Sequence, residues 1–246
     1  MPNETERLPG PAIHAVDPWV PGNPEPSSRH QLLSDNERAQ LVKIATVVRF
    51  EKGQQIYREG DTAEAAFNII NGVVTAYRIV QHTEHVVSFL YPGDLFGLPE
   101  EGRYANATRA ATAVGAYKMP LPAVRRILDK NADLDVDIII KLCEGLREAQ
   151  RHAVLLAQKR AATRLAMFLD LQEHLQAAAG EPVSEIHLPM DRSSIAAYLG
   201  LTREALSRAF RMLVSRKIIS SRNLHYVKVL NRDAFDALAD ASSDKS

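Results

Sequence analysis

DRSSIAAYLGLTREALSRAFRMLVSRKIIS, residues 191–220, carries more functional information than any other stretch of this chain. Asp191 has the side chain of a helix N-cap, and the apolar Ile195, Ala196 and Leu199 follow at one-turn spacing. Gly200 permits a tight reversal. Thr202 can cap a second helix running to about Ser215, with Leu206, Ala209, Phe210 and Leu213 as its inward stripe. Two short helices about a glycine-containing turn form a helix-turn-helix, which sets the start of its second helix in the major groove of DNA.

The other face of that second helix suits the task. Arg203, Glu204, Ser207, Arg208 and Arg211 lie away from the apolar stripe. An arginine can donate twice to guanine O6 and N7, a carboxylate can accept from cytosine N4, and a serine adapts to its partner. Thr202 and Arg211 are candidates for phosphate contact. Downstream, IISSRNLHYVKVL (218–230) reads as a small hairpin, a wing, with Ser221, Arg222 and Asn223 near its tip and Arg222 as a further phosphate candidate. Over residues 158–232 there are twelve basic and six acidic side chains, although the whole chain balances 30 Lys+Arg against 30 Asp+Glu. A neutral chain so divided points one end at a polyanion and keeps the other off it.

Upstream, residues 158–178 predict an amphipathic helix with Leu165, Phe168, Leu169 and Leu175, ended by Gly180 and Pro182. Before it, Ile139, Leu142, Leu146, Ala149, Ala153 and Leu156 are spaced 3, 4, 3, 4, 3, an a/d heptad seam on a helix over 128–157. A free seam predicts the same helix of a second chain as its partner, hence a two-fold homodimer; burial on the chain's own body is the alternative. Cys143 stands beside the seam, as a small apolar filler or a redox switch.

Between Thr46 and Met119 the texture is different. TVVRF, FNIINGVVTAYRIV, HVVSFLY and GAYKM are broken by Lys52-Gly53, Glu59-Gly60-Asp61, Asn71-Gly72 and Pro92-Gly93-Asp94. Asn-Gly between apolar strands predicts a hairpin there, and the regular spacing predicts an all-β sandwich or barrel. SDNERAQLVKIA (34–45), with Ser34 or Asp35 as cap and Glu37 completing a capping box, predicts a helix. Seven prolines within residues 1–30 predict a flexible, extended arm with Trp19 as its one large apolar residue, and 239–246 a tail.

At 246 residues, 46% hydrophobic and 24% charged, the chain has an ordinary globular balance and room for one large or two modest domains. Its single cysteine excludes an internal disulfide, a CxxC zinc site and a four-thiolate iron–sulfur cluster. No apolar run approaches 18 residues and the start lacks a signal pattern, so the expectation is a cytoplasmic protein without a membrane partner. HExxH, GxSxG, the P-loop and the glycine-rich dinucleotide fingerprint are all missing, which argues against an enzyme.

With these residues in view, the chain resembles a CRP/FNR-family transcription regulator over roughly residues 31–238. The likeness rests on YPGDLFG (Tyr91–Gly97), RAATRLAMFL (Arg160–Leu169) and, above all, LPMDRSSIAAYLGLTREALSRAFRMLVSRKII (Leu188–Ile219). The LGLTxExxSR pattern is similar to the FNR/FixK branch. The resemblance implies an α+β architecture. An N-terminal β-roll over 31–127, a jelly roll like that of cyclic-nucleotide-binding domains, leads into the dimerisation helix at 128–157. A C-terminal winged helix-turn-helix follows over 158–238. It implies that Glu204, Ser207 and Arg208 read the bases of a TTGA-type half-site, with Arg203 matching an extra arginine of CRP-like members, and that Arg192 contacts phosphate. The implied target is a pseudo-palindrome resembling TTGAT-N4-ATCAA. RNA polymerase is implied as a partner through the region 177–187, with activation the expected sign. A signal would act through the dimer helix or the hinge near 155–159.

The departures from the family pattern are equally informative. Its cyclic-nucleotide pocket uses Gly-Glu-Leu followed by Arg-Ser-Ala; here Leu98 stands at the glutamate, Tyr104, Ala105, Asn106 and Ala107 run through the Arg-Ser region, and Arg109 falls in the next strand. Cyclic AMP is therefore not expected. Some members of the family hold haem in this domain, and His82 and His85, His14 and His30 or the N-terminal arm are candidate ligands here; oxygen, redox, another small signal or no effector complete the options. The competing reading is a ligand-binding regulatory module that acts on a protein partner; the steep salt dependence of DNA binding separates the two.

Overall fold

The computed structural model describes residues 14–15, 30–31, 43–129 and 132–240. Trp19, most of the arm, most of the predicted helix over 34–45 and residues 241–246 lie outside them; Lys43 and Ile44, at the end of that predicted helix, are helical.

Two short strands, β1 (His14–Ala15) and β2 (His30–Gln31), pair antiparallel. Ten more follow: β3 (Thr46–Phe50), β4 (Gln55–Tyr57), β5 (Ala65–Asn71), β6 (Val74–Val80), β7 (Thr83–Leu90), β8 (Leu95–Phe96), β9 (Pro99–Glu100), β10 (Arg103–Tyr104), β11 (Ala107–Ala110) and β12 (Val114–Pro120). Eight of these make two four-stranded sheets, ordered β4-β11-β6-β7 and β3-β12-β5-β8, while β9 and β10 form a separate hairpin. The expected β-roll with its strand-rich segment is thus present. Its helical continuation comprises α1 (Leu121–Leu128), the long α2 (Ala132–Ala157), α3 (Ala161–Ala178), α4 (Arg192–Tyr198), α5 (Arg203–Ser215) and α6 (Arg232–Ala239). β13 (Ile186–His187), β14 (Ile219–Arg222) and β15 (Tyr226–Val229) make a three-stranded sheet, β13-β15-β14.

One turn differs from expectation. Asn71-Gly72 does not close a hairpin: β5 and β6 belong to different sheets, and the dipeptide is the corner between them. Tertiary contacts fix it. Asn71 Oδ1 accepts from the Gly115 amide at 2.7 Å, and the Val73 amide donates to Thr112 Oγ1 at 2.9 Å. Gly72 has φ +85°, and a Cβ there would come within 2.2 Å of the Ala113 carbonyl oxygen, so glycine is required by close approach as well as by conformation. The hairpin turn lies ten residues on, where Gln81 and His82 take φ +49° and +64° between β6 and β7.

The described residues divide into two compact units, one within residues 14–15, 30–31, 43–74, 90–129 and 132–142, the other within 75–89 and 143–240. The first is held by an apolar core of Ala65, Phe67, Ile69, Val74, Phe96, Ala110, Val114 and Ala116, with Phe50 and Tyr57 against it. In the second, Leu165, Phe168 and Leu169 of α3 are fully buried, as are Ile195, Leu199, Leu206, Leu213 and Phe235. Phe89 of β7 joins this unit, its ring 6.2 Å from Phe168 and 5.3 Å from Tyr198.

Candidate nucleic-acid interface

Two side-chain caps build the helix-turn-helix. Asp191 accepts from the Ser194 amide at 2.7 Å and starts α4; Thr202 accepts from the Ala205 amide at 3.1 Å and starts α5. Gly200, between them, has φ +60°, and a Cβ there would meet Leu156 Cδ2 at 3.2 Å and Arg164 Nη1 at 3.3 Å. The inward stripe of α5 is the one read from its periodicity: Leu206, Ala209, Phe210 and Leu213 are all buried.

That burial leaves Arg203, Glu204, Ser207, Arg208 and Arg211 exposed on the opposite face. The Glu204 carboxyl is held below the usual range, first by its own backbone amide, then by the Thr202 hydroxyl and by the Arg203 and Arg208 guanidiniums. Its ionised form, the form that accepts from a cytosine amino group, is thereby favoured.

The phosphate candidates differ in their surroundings. Arg211 is exposed on α5. Thr202 has its hydroxyl engaged in the cap. Arg192 at the head of α4 lies with its guanidinium 3.6 Å above the Phe210 ring, and Nη2 reaches Ser221 Oγ of β14 at 3.5 Å. Its Nη1 is buried without a hydrogen-bond partner among the described residues. Burial pulls its pKa down to about 10, which leaves it cationic at neutral pH. Arg222 donates to Glu185 Oε2 at 2.7 Å and rests over the Tyr226 ring, 4.6 Å from its centroid. The wing tip is the three-residue turn Asn223–His225 between β14 and β15, with Asn223 and Leu224 both at positive φ.

Sequence reasoning missed three parts of this assembly. β13, only two residues long, adds a third strand to the wing and carries no periodic signal. The stack of Arg192 on Phe210 joins residues far apart in the chain. Arg164 and His152, from α3 and α2, reach the turn of the motif itself.

On α2, Leu146 is 60% exposed, and Ala149, Ala153 and Leu156 are exposed with it. The side chains of Ile139 and Leu142 lie outside the described residues. Cys143 is exposed as a free thiol.

Comparison with known proteins gives this geometry its context. The model of the Crp-like helix-turn-helix domain matches residues 163–238, and that of the cyclic nucleotide-binding domain matches residues 47–131. The nitrogen fixation regulation protein FixK of Rhizobium meliloti (strain 1021) is 30% identical over 194 residues, which cover 78% of this chain and 86% of that protein. The chain belongs to the CRP/FNR family of transcription regulators. The fumarate and nitrate reduction regulatory protein of Salmonella typhi is 28% identical over 211 residues, covering 84% of each chain. The structure of FixK2 from Bradyrhizobium japonicum is similar with a TM-score of 0.71 and 26% identity, covering 79% of this chain and 97% of that one. As a CRP/FNR-family member the protein is a DNA-binding transcription regulator, and the family is one of regulators rather than enzymes. No helix among the described residues is long and apolar enough to cross a membrane.

The roll offers a poor fit to the ligand that its domain model is named for. Leu98 packs with Ala66, Met119 and Val124 in an apolar cluster. Tyr104 stacks on Tyr57 with ring centroids 3.7 Å apart, and its hydroxyl donates to the Ala65 carbonyl at 2.8 Å. Phe67 and Phe96 stack beside them at 5.2 Å. Arg103 donates to the Gly60 carbonyl at 2.7 Å, and Arg109 lies in β11 opposite Gln55. A sugar hydroxyl would meet rings and aliphatic carbon here in place of a carboxylate. Among the described residues no group of three or more His, Cys, Asp or Glu could hold a metal ion; His82 and His85 are exposed.

Proposed function

We propose that the protein acts as a homodimeric, sequence-specific activator on a pseudo-palindrome of TTGA type, TTGAT-N4-ATCAA. The observation that carries this reading is the capped helix α5, which buries one face and exposes Arg203, Glu204, Ser207 and Arg208 together on the other. Two such helices, one from each protomer, would enter successive major grooves about 34 Å apart. The exposed Leu146, Ala149 and Ala153 on α2 support pairing of the long helices. Arg211 and Arg192 serve as phosphate contacts, Arg192 from the head of α4 beside Ser221 of the wing. Arg222, exposed and paired with Glu185 through Nη2, is the phosphate contact of the wing.

The roll carries no cyclic AMP in this reading, because Tyr104, stacked on Tyr57, and the apolar Leu98 occupy the recognition positions. One cysteine supports no four-thiolate cluster. The reading carries no resident cofactor, and a Soret band in the purified protein would overturn that part. RNA polymerase is the partner that an activator of this family requires, and the cytoplasm is where it would meet DNA. The test is selection of binding sites from random duplex, with and without air, followed by Arg208→Ala. Loss of roughly 1–3 kcal/mol at the selected site, with relaxed preference at one base pair, is the expected result; unchanged selectivity would remove Arg208 from base reading.

A further inference from the structure

The last carbonyls of a helix have no amide partners within it and need donors from elsewhere. For α4 the carbonyls of Tyr198, Leu199 and Gly200 find them outside the helix-turn-helix. His152 Nε2 donates to the Tyr198 carbonyl at 2.7 Å. Arg164 Nη1 donates to the Leu199 carbonyl at 2.9 Å and reaches that of Gly200 at 3.3 Å. The same guanidinium turns back through Nε to the Gln158 carbonyl at 2.7 Å, in the short link between α2 and α3. Because a carbonyl can only accept, His152 carries its proton on Nε2, and burial holds the ring below its ordinary pKa and so neutral.

The rings reinforce these bonds. His152 lies flat on Tyr198, centroids 4.0 Å apart and planes 7° from parallel, and Tyr198 is itself walled by Phe89 at 5.3 Å and Phe168 at 5.6 Å. Leu156 Cδ2 lies only 3.2 Å from where a Cβ on Gly200 would stand, and the positive φ of Gly200 adds to the preference for glycine. The end of the long helix therefore grips the turn from which α5 departs through one donor, one ring stack and one apolar contact, while Arg164 fastens the link beside it.

We propose that His152 and Arg164 are positioning residues for DNA recognition: by clamping the carbonyl end of α4 to the end of α2, they fix the angle at which the recognition helix leaves the dimer helix. Both side chains are engaged with backbone carbonyls of the turn and the link. Their effect is on the spacing and mutual orientation of two readers, and the proposal rests on the paired-reader function argued above. A reader swinging on a loosened mount still binds one half-site but loses register with its twin.

The test compares His152→Phe, which keeps the stack on Tyr198 and removes the donor, with His152→Gln, which keeps an amide donor near the same place. Affinity is measured by fluorescence anisotropy for a duplex with two half-sites at a four-base-pair spacer, the same duplex with five base pairs, and a duplex with one half-site. The full-length wild type should prefer the four-base-pair duplex. His152→Phe should bind it roughly fivefold more weakly per protomer, the equivalent of one ordinary hydrogen bond, with single-site affinity unchanged and the penalty for the longer spacer reduced. His152→Gln should recover most of the loss. Equal weakening on all three duplexes would make His152 a residue of fold stability alone, and no change on any would overturn the latch. A wild type that gains nothing from a second half-site would instead overturn the paired-reader function, and the latch with it.

Discussion

Asp170, on α3, shows how a single buried group sets a pH dependence. Burial lifts its carboxyl to about 6 from an ordinary 3.8, against the opposing pull of His174, 3.6 Å away, and of Arg232. The folded state then holds a proton at pH values where the unfolded chain has lost it, so stability rises as pH falls from about 7 to about 5. Asp170→Asn should abolish most of this gain. Urea denaturation at both pH values checks it: the wild type should gain on the order of 1–3 kcal/mol more than the variant, and parallel responses would assign the titration to other groups. Nearby, Arg232 grips Glu173 through both nitrogens, at 2.6 and 2.8 Å, which keeps α6 on α3 whichever form Asp170 takes.

Elements written in local chemistry were the legible ones. Asp191 and Thr202 announce their helices because a cap is a property of a few adjacent residues, and Leu206, Ala209, Phe210 and Leu213 announce the buried face because a helix repeats every 3.6 residues. Asn71-Gly72 misled because its backbone is set by Ala113 and Gly115, some forty residues away, and not by the turn preference of the dipeptide. His152 and Arg164 were invisible for the same reason: their partners lie 46 and 35 residues distant. The departure of Leu98 from the family glutamate, by contrast, could be read directly, and the apolar cluster around it gives the physical sense. For α2 the decisive substitution is Leu146→Asp. Two carboxylates brought together on a helix seam should shift the protein to monomer by sedimentation and abolish tight binding to paired half-sites; a variant that stays dimeric would place the contact elsewhere.

Taken whole, the chain is neutral, with twelve basic against six acidic side chains in residues 158–232 and the opposite excess elsewhere. The logarithm of the affinity for duplex DNA should therefore fall linearly with the logarithm of salt concentration, by a slope of about −0.9 for each phosphate neutralised. Arg211→Ala should flatten that slope by about two, one contact per protomer, while the preferred sequence stays the same. If the slope holds and the sequence preference changes, Arg211 reads bases.

Thr202 does two jobs with one hydroxyl: its oxygen receives the Ala205 amide, and its hydrogen steadies the Glu204 carboxylate. With Glu204 proposed as a base reader, a change at Thr202 should alter operator preference while the proposed readers Arg203, Glu204, Ser207 and Arg208 kept their identities. Regulons can thus drift apart between descendants of such a factor through a position that a catalogue of base contacts would omit.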